Sequence, residues 1–212
     1  MSALVRSLFL CCLVAGCATS VPPPPPPLPP PDPAARCLAD LDRRQVAYQR
    51  VEDWQTPEGC GVQWAVRVKA SATQWNRPLL MSCQLAGRIN DFETTAVQPL
   101  AQSLLKQPVR KMFNAGSYDC RGVRGSHPER LSQHALGRAI DLTGFELADG
   151  TVVSVLHDWP GKGPKAVFLR QVAKAACGLF NVVITPDGNA LHRDHFHFDL
   201  GPHKACGVGG KD

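Results

Sequence analysis

Two short stretches of this chain carry side chains of the kinds that hold metal ions. The first runs Leu131-Ser132-Gln133-His134-Ala135-Leu136-Gly137-Arg138-Ala139-Ile140-Asp141-Leu142, an imidazole and a carboxylate separated by a glycine that permits a backbone bend. From Ala139 to Thr143 the residues alternate like a strand, so Asp141 falls on the face opposite Ile140 and Leu142 and points away from the core. The second stretch is His192-Arg193-Asp194-His195-Phe196-His197-Phe198-Asp199. On a strand, His195, His197 and Asp199 share one face, while Phe196 and Phe198 turn to the other and pack inward. Two imidazoles about 7 Å apart along a strand line one pocket. With His134 and Asp141 added, the types are those of a zinc site with two histidines, one carboxylate and a position left for water. Histidines on a strand are more often surface residues than ligands, and only the two stretches together make the pattern specific.

Ser132, His134, Gly137, Ala139 and Asp141 resemble, position for position, the Ser-x-His-x-x-Gly-x-Ala-x-Asp motif of the lysostaphin, D-alanyl-D-alanine peptidase and Sonic hedgehog superfamily of zinc peptidases. Gly116 to Arg121, Leu131 to Ala135 and Asp194 to Asp199 are similar, more narrowly, to the bacterial extensin-like C-terminal domain family, a likeness that runs from about Cys37 to the end. The resemblance implies His134, Asp141 and His197 as zinc ligands, with His195 as the base that takes a proton from the attacking water. It gives His192 a supporting role. Asp194 occupies the place of the glutamate base of the carboxypeptidase branch, one methylene shorter, which leaves the choice between His195 and Asp194 open. Arg121 resembles the arginine of the Ser-Gly-Tyr-Arg motif in that branch and would hold a substrate carboxylate or an oxyanion.

The implied fold is α+β, a small central antiparallel sheet carrying the zinc site and flanked by helices. The implied activity is zinc-dependent hydrolysis of peptide stems or cross-links of peptidoglycan, endopeptidase rather than carboxypeptidase. Two alternatives differ in class: a metal-containing relic that binds wall peptides without cutting them, and a structural envelope protein. Proline forms one N-terminal block rather than recurring throughout, which ranks the structural reading last.

The elements that must position these residues follow from periodicity. Asp32 to Val46 is expected as a capped helix, and Val62 to Lys69 as a strand with period two. Leu85, Ile89, Phe92, Ala96 and Leu100 recur at helical spacing, predicting a long helix from Arg77 to Leu105, bent near Pro99. Strands are expected at Lys111–Ser117, Ala139–Leu147 and Val152–His157, the last two joined through Asp149-Gly150. A helix at Val167–Cys177 and strands at Val182–Thr185 and Phe196–Leu200 complete the domain. His127, His157 and His203 match no motif and are expected at the surface or in structural roles.

Residues 1–16 read as a secretory signal, with Arg6 before an apolar run too short to span a membrane. The run ends Val14-Ala15-Gly16-Cys17, which resembles a lipobox, so that lipid on Cys17 would anchor the mature chain. Ala18 in place of Asp favours the outer membrane, making the protein a periplasmic lipoprotein. Residues 17–33 form a proline-rich linker whose polyproline stretch from Val21 to Pro33 reaches about 40 Å, and 34–212 form one domain. The six cysteines beyond the leader imply up to three disulfides, expected as Cys37 with Cys60, Cys83 with Cys120 and Cys177 with Cys206. The formal charge of +5 is scattered, with no basic, aromatic-interleaved stripe of a nucleic-acid binder. A mildly basic exported domain suits an anionic polymer such as peptidoglycan. Replacing Cys17→Ser should move the protein from the membrane fraction to soluble periplasm or leave it unprocessed; unchanged fractionation would sink the lipid anchor.

Overall fold

The alternating run Ala139–Leu147 forms the strand that its pattern predicts, and the rest of the domain is built outward from it. The computed structural model describes residues 32–123 and 130–208. The expected signal peptide, Cys17, most of the proline run and His127 lie outside the described residues. In chain order the strands are β1 (Ala47–Arg50), β2 (Trp54–Gln55), β3 (Gly61–Val62), β4 (Ala65–Ala70), β5 (Gln74–Ser82), β6 (Val109–Gly116), β7 (Ala139–Leu147), β8 (Val152–Ser154), β9 (Val182–Ile184), β10 (Phe196–Asp199) and β11 (Ala205–Gly207). The helices are α1 (Pro33–Arg43), α2 (Cys83–Phe92), α3 (Gln98–Leu105), α4 (Val155–Asp158) and α5 (Pro164–Ala176). Nine strands form one sheet in the order β1-β4-β5-β6-β7-β10-β9-β11, with β8 on the far half of β7, and β2 pairs with β3 separately.

The fold is therefore mixed α+β, but the sheet is neither small nor wholly antiparallel, because β5 runs parallel to β6 and β11 parallel to β9. The difference traces to Arg77–Ser82, expected as the start of a helix. Trp75, Leu79 and Met81 are buried at period two, so this segment is the second half of β5. The helical spacing begins only where Ser82 caps α2 by accepting from Leu85 N–H at 3.3 Å. A strand, a helical crossover and a parallel strand thus replace one long helix. The expected bend near Pro99 appears upstream, as a π-helical segment at Glu93–Val97 in which Gln98 N–H donates to the Glu93 carbonyl. Val62–Lys69 is likewise split, because Trp64 takes a left-handed φ of 53° between β3 and β4. Val152–His157 stops as a strand at Ser154, which caps α4.

Phe196, Phe198, Ile140 and Leu142 point to one face of β10 and β7 and are almost wholly buried. That face is covered by α2 and α5: Phe92 meets Phe198 edge to face at 5.4 Å, and Phe168 meets Phe145 at 5.3 Å. Burying these rings against the helices obliges the intervening residues, Asp141 and His197, to face the other side.

Disulfides join Cys37 to Cys83, Cys60 to Cys120 and Cys177 to Cys206. Only the last was expected. The missed half of β5 delivers Cys83 to α1, which frees Cys60 to tie the β2–β3 hairpin to the loop after β6. Three disulfides suit an oxidising, extracytoplasmic compartment, and no helix among the described residues is long and apolar enough to cross a membrane.

Glu93, fully buried in the π-helical segment, accepts from Ser71 Oγ (2.7 Å), Ala72 N–H (2.8 Å) and Thr73 Oγ1 (2.9 Å), pinning the β4–β5 turn. Burial pushes its carboxyl up to about 7 against the pull of these donors. Because the folded state holds this proton more tightly than the unfolded chain, the associated stability is greatest below the ordinary carboxyl range and is lost as the pH rises through about 7. The melting-temperature difference between wild type and Glu93→Gln should shift against wild type between pH 5 and pH 8. Parallel melting curves would disprove the assignment.

Candidate metal centre

Asp141 and His197 are direct partners across the β7–β10 ladder, so their side chains project side by side from the solvent face. His134 arrives from a single 3-10 turn, Gln133–Leu136, capped by Ser132, whose Oγ accepts from His134 N–H at 3.3 Å. Gly137 ends that turn with φ 61°, and a Cβ there would come within 2.7 Å of Val62 Cγ2. Glycine is required on both counts, as the bend inferred from its position suggested. The turn drops His134 onto the start of β7, beside Asp141.

The three ligand atoms form a triangle. His134 Nε2 lies 3.1 Å from His197 Nδ1 and 3.2 Å from Asp141 Oδ1, and His197 Nδ1 lies 3.0 Å from the same oxygen. The outer nitrogens fix which atoms face inward. His134 Nδ1 donates to the Ser117 carbonyl at 2.6 Å, and His197 Nε2 donates to Asp199 Oδ2 at 3.1 Å. In the neutral rings both inner nitrogens then present lone pairs, aimed at each other and at a carboxylate oxygen. Three converging lone pairs repel unless a cation sits among them. A tetrahedral zinc with ligands at about 2.0–2.1 Å holds them roughly 3.3 Å apart, close to this triangle. The outer bonds to a carbonyl and a carboxylate are those that orient metal-binding imidazoles. The donor set fits a metal ion, and within the described residues this is the group of His, Cys, Asp and Glu that could hold one.

Without metal, a proton takes that place. Burial works against the charge on His197, but hydrogen bonds to Asp141 and Asp199 outweigh it and push the imidazole up to about 9. Burial raises the Asp141 carboxyl less than the two histidines lower it, which leaves it well below the ordinary range.

The remaining expected residues gather around the triangle. His195, just before β10, puts Nε2 3.7 Å from Asp141 Oδ1, while its Nδ1 lies 2.8 Å from Asp194 Oδ1. That bond holds the Asp194 carboxyl below its usual range. His192 sets its ring 5.0 Å from that of His195, tilted by 48°, and its Nδ1 sits 2.8 Å from Asn189 Oδ1. Burial, and then the charge of His195, lower His192 to about 4. Arg121 donates from Nε to Asp119 Oδ2 at 2.8 Å and lines the same cleft. His203 and His157 are both exposed, as expected; His203 stands at the rim of this cleft, with Nε2 3.0 Å from Arg130 Nη2. Ser117 was not anticipated, because it acts through its carbonyl, which every residue type carries. Asp199, on the same strand face, orients His197 through the bond to Nε2.

The chain thus carries, on a mixed α+β sheet, a His-Asp-His cluster that could hold a metal ion. The family described as extensin-like protein C-terminus matches over residues 35–207, and the chain belongs to it. No curated protein and no solved structure matches.

Because His197 must surrender a proton held up to about 9, metal affinity should rise with pH from 6 to 9. Competition with a chromogenic chelator should give one zinc per chain for wild type. His197→Ala should lose at least about 100-fold in affinity, and Asp199→Ala about 10- to 100-fold. Wild-type protein that binds under a tenth of an equivalent would refute the site.

Proposed function

We propose that this protein is a zinc peptidase of the lysostaphin, D-alanyl-D-alanine peptidase and Sonic hedgehog superfamily that cleaves peptide stems or cross-links of peptidoglycan. The observation that carries the reading is the triangle of inward-facing donors with an uncommitted imidazole edge, His195 Nε2, beside it. His134, Asp141 and His197 would hold an ion there, which would supply Lewis-acid chemistry at neutral pH. The chain's own groups supply the rest.

His195 is the proton acceptor. Its Nδ1 is engaged by Asp194, which fixes the ring and leaves Nε2 directed at the reaction centre. Asp194 is held ionised by that same bond and stabilises the imidazolium, so the carboxylate orients the base rather than serving as it. His192, kept neutral at about 4, shields the other side of His195 without adding charge. Arg121 keeps donors available beyond its bond to Asp119 and stands on the cleft wall with His134 and His195, where a tetrahedral oxyanion or a substrate carboxylate is stabilised. We further propose that the domain works in the periplasm, carried on the proline-rich stalk from a lipidated Cys17 at the outer membrane.

Digestion of purified sacculi by zinc-loaded protein should release peptide fragments identifiable by mass, and a chelator should abolish release. His195→Ala should retain metal and lower the rate by about 10²- to 10⁴-fold. If Asp194→Ala abolishes hydrolysis while His195→Ala keeps both metal and a near-normal rate, the carboxylate is the base. Tight binding to sacculi with no fragment released by the metal-loaded protein would favour the non-cutting wall binder.

A further inference from the structure

The sheet is split beside the metal centre. β5 pairs with β6 only at Gln74 with Lys111 and Trp75 with Met112. Beyond these pairs the two strands are bridged by side chains: Asn114 N–H donates to Asn76 Oδ1 at 3.0 Å, Asn76 Nδ2 to the Asn114 carbonyl at 3.2 Å, and Arg77 Nε to Asn114 Oδ1 at 3.2 Å. Past Arg77 lies a cleft of about 650 Å³, bordered by Pro78–Leu80 on one side and Ala115–Ser117 on the other, that reaches His134, Asp141 and His195.

Pro78 is the sequence cause of this seam. Ser82 N–H donates to the Gly137 carbonyl, and Cys83 N–H to the Trp64 carbonyl. The Ala65 carbonyl, opposite Ser82, accepts from Val51 on the far side of β4. Ser82 therefore directs its backbone groups away from β4, and by strand alternation Leu80 and Pro78 do the same. Proline has no N–H to give a neighbouring strand and is found where a ladder is interrupted. The N–H and C=O of Leu80 are left pointing into the cleft, and no described strand pairs with them there.

Arg77 lies along the seam, its Nη2 3.8 Å from where a Cβ on Gly116, the strand partner of Asp141, would sit. Two of its five donors go to Asn114 Oδ1 and the Ala115 carbonyl, which leaves three, and no acidic side chain pairs with it among the described residues. Arg67, opposite Leu80 on β4, lines the same cleft. The groove thus brings together backbone pairing at Leu80, positive charge at Arg77 and Arg67, and the metal centre.

We infer that the β5–β6 seam binds substrate as an extended peptide, pairing with the backbone of Leu80 and placing a carboxylate on Arg77. This deepens the peptidase reading and rests on it. The carboxylate is either the peptide's terminus or a side chain, since both present the same planar acceptor to a guanidinium.

The test uses zinc-loaded protein and a synthetic peptidoglycan stem tetrapeptide, with affinity read by calorimetry. Amidating one of its carboxylates should weaken binding by about 10- to 100-fold, and which one does so identifies the source. Arg77→Gln should bind the acid and that amide equally, at the affinity wild type shows for the amide, a pattern that a merely destabilised variant would not give. Methylating the peptide's amide nitrogens one at a time should cost about tenfold at the nitrogen facing Leu80 and spare its neighbours. Equal losses at every amide, unchanged acid preference in Arg77→Gln, or no binding at millimolar peptide would each overturn the seam. Cleavage without these signatures would remove the seam but leave the peptidase. The signatures without cleavage would keep the seam and remove the peptidase.

Discussion

Three electron donors, His134 Nε2, His197 Nδ1 and Asp141 Oδ1, converge within about 3 Å of one another, and the surrounding structure keeps them there. Left alone, they would turn away to separate lone pairs and recover hydration. They are held because each outer atom is already bonded, to the Ser117 carbonyl on one side and to Asp199 on the other. Asp199 is itself fixed by Gly201 N–H, which donates to Oδ1 at 2.7 Å. A cation, or a proton in its absence, is the natural completion of such an arrangement.

The backbone supplies the rigidity. β7 and β10 put Asp141 opposite His197, and the same alternation sends Ile140, Leu142, Phe196 and Phe198 into a core sealed by α2 and α5. A slip of one residue in this ladder would bury the ligands and expose the aromatics, so packing energy specifies the register that the site requires. The loop bearing Ser117 and Arg121 lies outside that core, with Tyr118 meeting Trp54 edge to face at 5.2 Å. It is tied down by Cys60–Cys120, by Ser117 Oγ donating to the Ala139 carbonyl at 2.8 Å, and by Asp119 N–H to the His134 carbonyl at 3.3 Å.

One sheet serves two purposes. On the β7–β10 side its ladder is continuous and holds the donors still, while on the β5–β6 side the ladder stops after Trp75 and a cleft opens past Arg77. The continuous ladder and the open cleft both come from strand pairing made or withheld.

The sequence alone determined the donors and their faces, because strand alternation and a glycine-permitted turn are local: His134, Asp141 and His197 converge as their motif implied, and Ala139–Leu147 has the bounds read from its pattern. It misled where one residue type serves two conformations. Arg77 to Ser82 precedes a helical stripe and reads as its first turns, whereas the cap at Ser82 and burial at Leu79 and Met81 make it strand. That single error hid the parallel crossover, the partners of Cys37 and Cys83, and the seam beside Pro78. Only tertiary structure decided the contacts made by backbone groups, which carry no residue signature: the Ser117 carbonyl behind His134 and the unpaired edge at Leu80. Likewise, the orientation of His195 by Asp194 depends on how two adjacent side chains turn in space, a matter settled by the packing of the cleft around them.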